Sequence, residues 1–148
     1  MYSFGDSFDV GLDHPMKLHH VGIIVASIER AGREYRQLLG LEQRGEVIED
    51  PLQQVKVQFW ACAGDTFEIE LIEPCGPDSP AYAALQRGGG MNHLCYEVSD
   101  IVASLEQARR DGAVQTRDIL PAAAFGGRRI AFVYYHHLGL IEFVESSR

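Results

Sequence analysis

Two histidines and two glutamates recur at matching places in this 148-residue chain. His20 and His93 lie 73 residues apart and Glu70 and Glu142 lie 72 apart, which makes two His–Glu pairs with internal spacings of 50 and 49 residues. Each His sits inside an apolar run, Leu18-His19-His20-Val21-Gly22-Ile23-Ile24-Val25 and Met91-Asn92-His93-Leu94-Cys95-Tyr96-Glu97-Val98. Each Glu stands between large apolar neighbours, in Ile69-Glu70-Leu71 and Ile141-Glu142-Phe143. Side chains alternate along a strand, so any one of the four reads equally as a solvent-facing carboxylate or a satisfied core histidine. All four at equivalent positions of a repeated unit read differently. Two modules packed about a pseudo-twofold axis would bring them to one centre as a ligand set for a divalent ion. Imidazole nitrogens suit Zn²⁺, Ni²⁺, Co²⁺ or Fe²⁺, and carboxylate oxygens extend the choice to Mn²⁺. Two carboxylates also offset the charge of such an ion, which lowers the cost of burying it. A centre of this kind polarises a bound carbonyl and stabilises an enolate.

The elements that must position these residues repeat as well. The His20 run is a buried strand. Ser27 is an N-cap, Ile28, Ala31, Tyr35 and Leu38 recur at helical spacing, and Gly40 closes the helix. Val55–Phe59 and Phe67–Ile72 read as strands. The second half restarts with the His93 strand, a helix capped by Ser99 or Asp100 and ended by Gly112, and strands over Ile130–Tyr135 and Leu140–Val144. Between the halves, Ser79 and Pro80 start a short helix, and Gly88-Gly89-Gly90 is expected to be a flexible joint. The organisation is therefore a polar leader over 1–16, module one over 17–74, a connector over 75–90 and module two over 91–148. Alternation turns His19 to the strand face opposite His20, a structural or surface position. His136 and His137 fall in a turn and are expected in solvent.

Composition narrows the setting. Hydrophobic residues at 46% and charged residues at 23% are globular values. A net charge of −8 with no basic run argues against nucleic acid and anionic membrane as partners, and no apolar stretch approaches the roughly 20 residues of a membrane span. The first 16 residues carry Asp6, Asp9 and Asp13, with neither the positive start nor the apolar run of a signal peptide. Three cysteines, an odd number without a C-x-x-C, suit a reducing, cytoplasmic location.

Leu18-His19-His20-Val21-Gly22-Ile23, Ile69-Glu70-Leu71-Ile72-Glu73-Pro74, Asp78-Ser79-Pro80, the His93 strand and Leu140-Ile141-Glu142 resemble the vicinal oxygen chelate (glyoxalase/bleomycin resistance/dioxygenase) superfamily, and within it the methylmalonyl-CoA epimerase family. The resemblance runs from about Leu18 to Glu145. It implies an α+β fold of two βαβββ modules forming a cupped eight-stranded mixed sheet around a divalent metal (Co, Zn, Ni or Mn), often in a homodimer. It places the metal ligands at His20, Glu70, His93 and Glu142. It implies epimerisation of a methylmalonyl-CoA-like acyl thioester by C2 proton abstraction through a metal-stabilised enediolate, with one acid/base group on each face of the substrate. Glu142 can serve as both ligand and base. Some epimerases carry the second acid/base carboxylate on the third strand, where this chain has Val57 between Lys56 and Gln58. Glu97, on the His93 face by alternation, is a second candidate for that role or else a partner in a rim salt bridge. The turn Phe125-Gly126-Gly127-Arg128-Arg129-Ile130 resembles the glycine-rich turn where coenzyme A contacts are expected. Arg128 and Arg129 are therefore phosphate candidates or simply exposed turn residues, and the family's following His-Pro-Lys segment is replaced by Tyr134-Tyr135-His136-His137.

Three other readings share the site. A glyoxalase-type isomerase acting on a hemithioacetal can use the same four ligands, and Glu73-Pro74 with Asp78-Ser79-Pro80 favours the epimerase. A ligand-sequestering resistance protein would lack the metal. A ring-cleaving dioxygenase would use two His and one Glu and leave positions open.

Overall fold

The computed structural model describes residues 16–147. Of the polar leader expected over 1–16, only Met16 is among them, and it packs on the apolar cluster of the second half. Strand β1 (Lys17–Ile24) leads through helix α1 (Ile28–Leu39) to short strands β2 (Glu42–Gln43) and β3 (Ile48–Asp50), then to the pair β4 (Val55–Ala61) and β5 (Glu68–Pro74). Helix α2 (Pro80–Gln86) joins the halves. The second half repeats the pattern as β6 (Gly90–Val98), α3 (Ile101–Arg110), β7 (Val114–Gln115), β8 (Leu120–Pro121), a 3₁₀ turn over Ala123–Phe125, β9 (Arg129–Tyr135) and β10 (Gly139–Glu145).

The fold is α+β, with one open mixed sheet in the order β2-β4-β5-β1-β6-β10-β9-β7. Ten strands stand where eight were expected, because the second strand of each module is broken in two. β2 and β3 both pair with β4, and β7 and β8 both pair with β9. At the centre, β1 and β6 run antiparallel, and each has its own module's last strand as a parallel neighbour. Gly22 is the partner of Glu70 across β1/β5, and Cys95 is the partner of Glu142 across β6/β10. The pseudo-twofold axis therefore passes between β1 and β6.

Local chemistry explains why the helices start and stop where they do. Ser27 accepts a hydrogen bond from the Arg30 N–H, Asp100 from the Ala103 N–H and Ser79 from the Ala81 N–H, as N-caps do. Gly40 ends α1 at φ 69°, which a residue with a Cβ resists. A second, longer-range cap is shared by both modules. The first helical N–H of α1, at Ile28, donates to Glu73 at 2.9 Å, and that of α3, at Ile101, donates to Glu145 at 3.1 Å. Each carboxylate at the end of a module's last strand thus meets the positive end of that module's helix and docks it on the sheet. At the expected joint, Gly88 and Gly89 close α2, their N–H groups donating to the Leu85 and Ala84 carbonyls at 3.0 Å, and Gly90 opens β6.

One face of the sheet carries α1 and α3, while α2 packs on the other through Ala81, Ala84 and Leu85. Ile28, Leu41, Trp60 and Leu71 form the cluster under α1, and Ile101, Leu105, Ala108, Val133, Ile141 and Phe143 the cluster under α3. Alternation sends the intervening residues to the other face, where Val57, Phe59 and Ile72 of the first half and Ile130, Phe132 and Val144 of the second line the ground around His20, Glu70, His93 and Glu142.

Candidate metal centre

His20 and His93 come from the two central strands, and Glu70 and Glu142 from the strands flanking them. One ligand atom from each residue lies within 4.8 Å of the others. His20 Nε2 stands 2.6 Å from Glu70 Oε2 and 3.1 Å from Glu142 Oε2, while His93 Nε2 stands 2.9 Å from Glu142 Oε2 and 3.9 Å from Glu70 Oε2. The two Nε2 atoms face one another at 3.2 Å. All four residues are buried, with relative exposures of 0, 7, 4 and 3% for His20, Glu70, His93 and Glu142. Four buried ligand groups converging on a point is not an arrangement that surface decoration produces.

The sheet is irregular at this point, and the irregularity repeats in both modules. The β1/β6 register steps from Leu18/Tyr96 to His20/Cys95, leaving His19 as an extra residue on β1; it steps again from Gly22/His93 to Ile23/Met91, leaving Asn92 as an extra residue on β6. His19 and Asn92 are the residues before the two histidines, and these bulges re-aim their side chains. His19 Nδ1 lies 2.8 Å from His20 Nδ1, and His93 Nδ1 donates to Asn92 Oδ1 at 2.9 Å. Engaging each Nδ1 leaves each Nε2 as the nitrogen that points inward, the outer-sphere arrangement typical of metal-binding imidazoles. His19 is thus half-buried against its neighbour and not on the opposite face, because the bulge cancels the alternation on which that expectation rested. Phe125 stacks on the His20 ring at 5.6 Å, Phe132 meets His93 edge-on at 5.3 Å, and both rings further limit rotation.

The electrostatics ask for positive charge. Burial by itself would lower the His20 pKa, yet Glu70 and hydrogen bonds to Cys95, Glu142 and Glu70 override it and raise that pKa well above the imidazole range. Burial would likewise raise Glu142, but hydrogen bonds from His20 and His93 and their charges take it down to about 2. The donor set therefore fits a divalent cation, which brings the charge that a proton on His20 otherwise supplies.

The cluster opens into a cavity of about 110 Å³, several times the space of one water. Glu70, His93 and Glu142 form part of its wall, with Val57, Phe132 and Arg117 among the others. Val57 thus faces the cavity from β4. Lys56 points away to Glu49 at 4.0 Å, and Gln58 is spent on Trp60 Nε1 and the Gly45 carbonyl. Glu97 is not brought to the cluster; it pairs with Arg128 at 3.4 Å. Arg129 pairs with Glu145 at 2.7 Å, and the Arg128 guanidinium lies 5.6 Å over the Phe125 ring. His136 and His137 are exposed in the β9–β10 turn.

Sequence reasoning missed Asp50, Asn92 and Arg117. Asp50, 2% exposed at the end of β3, accepts from the Leu52, Gln53 and Ala123 N–H groups and from Gln53 Nε2, and so ties the cavity rim of one module to the 3₁₀ turn of the other. The duplication offset already paired Asn92 with His19 and could have flagged both. Asp50 and Arg117 lie in segments without periodicity and carried no comparable signal.

A family model for the glyoxalase/bleomycin resistance protein/dioxygenase superfamily matches residues 19–132, and the chain belongs to that superfamily. Its relatives point to one branch. It is 33% identical over 120 residues, 80% of this chain and 87% of the other, to the ethylmalonyl-CoA/methylmalonyl-CoA epimerase of Cereibacter sphaeroides. It is 34% identical over 122 residues, 81% of this chain and 65% of the longer protein, to the mitochondrial methylmalonyl-CoA epimerase of Mus musculus. The crystal structure of methylmalonyl-CoA epimerase from Mycobacterium tuberculosis superposes with a TM-score of 0.76 at 28% identity, covering 88% of each chain. The chain is accordingly an enzyme of the epimerase and isomerase type. Among the described residues no helix is long and apolar enough to cross a membrane.

Proposed function

We propose that this protein is a metal-dependent epimerase that inverts C2 of a methylmalonyl-CoA-like acyl thioester. The observation that carries the reading is the buried two-His, two-Glu cluster at the floor of a cavity, in a chain whose relatives are named as epimerases of such substrates. His20, Glu70, His93 and Glu142 would hold the ion, which when bound supplies the positive charge that stabilises an enediolate oxygen.

The chain's own groups account for the proton movements. Epimerisation needs one group to take the C2 proton and another to return one from the opposite side. Glu70 and Glu142 are related by the pseudo-twofold axis and so approach the cavity from its two modules. Val57 supplies no carboxylate from β4, and Asp50, the other acid on the cavity wall, already accepts four hydrogen bonds. Glu142 is therefore the base we assign to one side and Glu70 the acid on the other, with Phe132 and Val57 keeping water from the reacting carbon. Glu97 and the Arg128–Arg129 turn lie at the rim, where their ion pairs make a phosphate-binding role dependent on exchange of Glu97 or Glu145 for a ligand. The three cysteines among the described residues are all free, which supports a reducing, cytoplasmic setting, and a homodimer is part of the same reading.

The test is deuterium uptake at C2 of methylmalonyl-CoA in heavy water by metal-loaded protein. Exchange together with inversion supports the proposal. A fully loaded protein that exchanges nothing but isomerises a hemithioacetal would establish the glyoxalase-type reaction in its place.

A further inference from the structure

Among the described residues Arg117 is the one Lys or Arg on the wall of the cavity that holds Glu70, His93 and Glu142. It lies between β7 and β8 in a segment fastened on both sides. The Thr116 N–H donates to the Phe132 carbonyl at 3.0 Å, and Gln115 Nε2 donates to the Arg117 carbonyl at 2.9 Å while Gln115 Oε1 accepts from Arg109 at 3.0 Å. This anchoring lays the guanidinium over the Phe132 ring, 5.1 Å from its centroid, and that ring is the one in edge contact with His93. A ring contact consumes none of the five N–H donors of a guanidinium. Among the described residues Arg117 has no hydrogen bond or ion pair from its guanidinium, whereas Arg128 and Arg129 are both engaged with carboxylates.

A half-buried guanidinium with free donors beside an acid-rich cluster could be a mere counter-charge. Its neighbours speak against that. Asp50 is satisfied by four donors and Glu142 by both histidines, so neither is waiting for an arginine. Burial lowers the Arg117 pKa and the charges of Glu142 and Asp50 offset only part of that, but a guanidinium stays cationic at any ordinary pH. What lacks a partner is the arginine, and the partner that fits a planar fork is a planar anion, above all a carboxylate.

We propose that Arg117 is the specificity-determining residue of this cavity and that it grips the free carboxylate of the acyl group next to the metal centre. The inference rests on the epimerase reading for the identity of the acyl group, but not for the anion site itself. An anionic oxygen could also come from a coenzyme A phosphate, so the probes separate the two.

Malonate and coenzyme A are titrated separately by calorimetry into the metal-loaded wild type, Arg117→Gln and Arg117→Lys, with metal content measured in each. The expected result is malonate binding weakened about 10-fold or more in Arg117→Gln and partly retained in Arg117→Lys, with metal content and coenzyme A affinity unchanged. Equal malonate binding in all three proteins overturns the proposal. So does a fall in coenzyme A affinity with malonate untouched, which would make Arg117 a phosphate residue, and so does loss of metal from Arg117→Gln. If the glutamine variant does not fold, the lysine variant decides alone, since it keeps the charge and loses the fork. In the exchange assay Arg117→Gln should raise KM for methylmalonyl-CoA more than it lowers kcat. A wild type that exchanges nothing, yet binds malonate through Arg117, would remove the epimerase reading and leave this site standing.

Discussion

Gly22 on β1 faces His93 on β6 so closely that the histidine ring occupies the space a side chain at residue 22 would need. A Cβ there would stand 2.6 Å from His93 Nδ1 and 2.7 Å from Nε2. The equivalent position in the second module is Cys95, whose thiol lies within 4.8 Å of a His20 ring nitrogen. The two halves thus solve the same packing problem with different residues.

Gly22→Ala should therefore displace His93 and leave the rest of the fold in place. Overpacking of this kind costs about 1–3 kcal/mol, which a domain of this size survives. Purified Gly22→Ala is expected to show a native circular dichroism spectrum and much less than one metal ion per chain. Full metal loading would show that His93 does not need the space.

The residue before each histidine holds it in place. His19→Leu removes the partner of His20 Nδ1, and loss of such an outer partner typically weakens metal binding about 10- to 100-fold. His19→Asn should restore most of the affinity, because Asn92 already does that work in the other module. Competition against a chelator measures both variants; equal affinity for Leu and wild type would refute a positioning role.

The pH dependence of the metal-free protein follows from two opposite shifts. His20 is raised in the folded state, so its stabilisation is complete below the ordinary value of 6.5 and is lost as pH climbs through the raised pKa. Glu142 is lowered from 4.5 to about 2, so its contribution is complete above 4.5 and is lost as pH falls toward 2. Thermal melts of the metal-free protein should be highest between about pH 4.5 and 6.5. Metal entry displaces the His20 proton, so calorimetry near pH 7 in two buffers of different ionisation heat should detect proton release. A buffer-independent heat would contradict it.

Cys95 is fully buried and its thiol, pushed up by burial and then by Glu142, has a pKa of about 12. Iodoacetamide should label exposed Cys75 readily and half-buried Cys62 more slowly in the native protein, and Cys95 only after denaturation. Mass spectrometry of the peptides distinguishes the three.

Much of this was legible because the duplication writes each important position twice. The offset that joined His20 to His93 and Glu70 to Glu142 also located the strands that carry them, and Ser27, Ser79 and the pair Ser99–Asp100 marked the helix starts, with Asp100 the cap in the structure. Alternation failed at His19 and Asn92, because a bulge inserts one residue into the pleat and leaves no trace in hydrophobic pattern. It also led to Glu97, whose distance from His93 along the strand carries it to the rim and to Arg128. The broken second strands were invisible for another reason: pairings of two or three residues are too short to carry a period. Arg117 depends on a loop path fixed by Thr116 and Gln115, which only three-dimensional contacts define.

The seam between β1 and β6 has one more consequence. Each half brings one imidazole and one carboxylate, so neither owns more than a weak bidentate grip on an ion. A peptide of half this length would have to find its own copy and meet it at the correct angle, at a cost set by dilution. The covalent link through α2 replaces that encounter with a fixed local concentration, and it frees the two copies to drift apart in sequence, one keeping Gly22 and the other Cys95, without losing the tetrad they share.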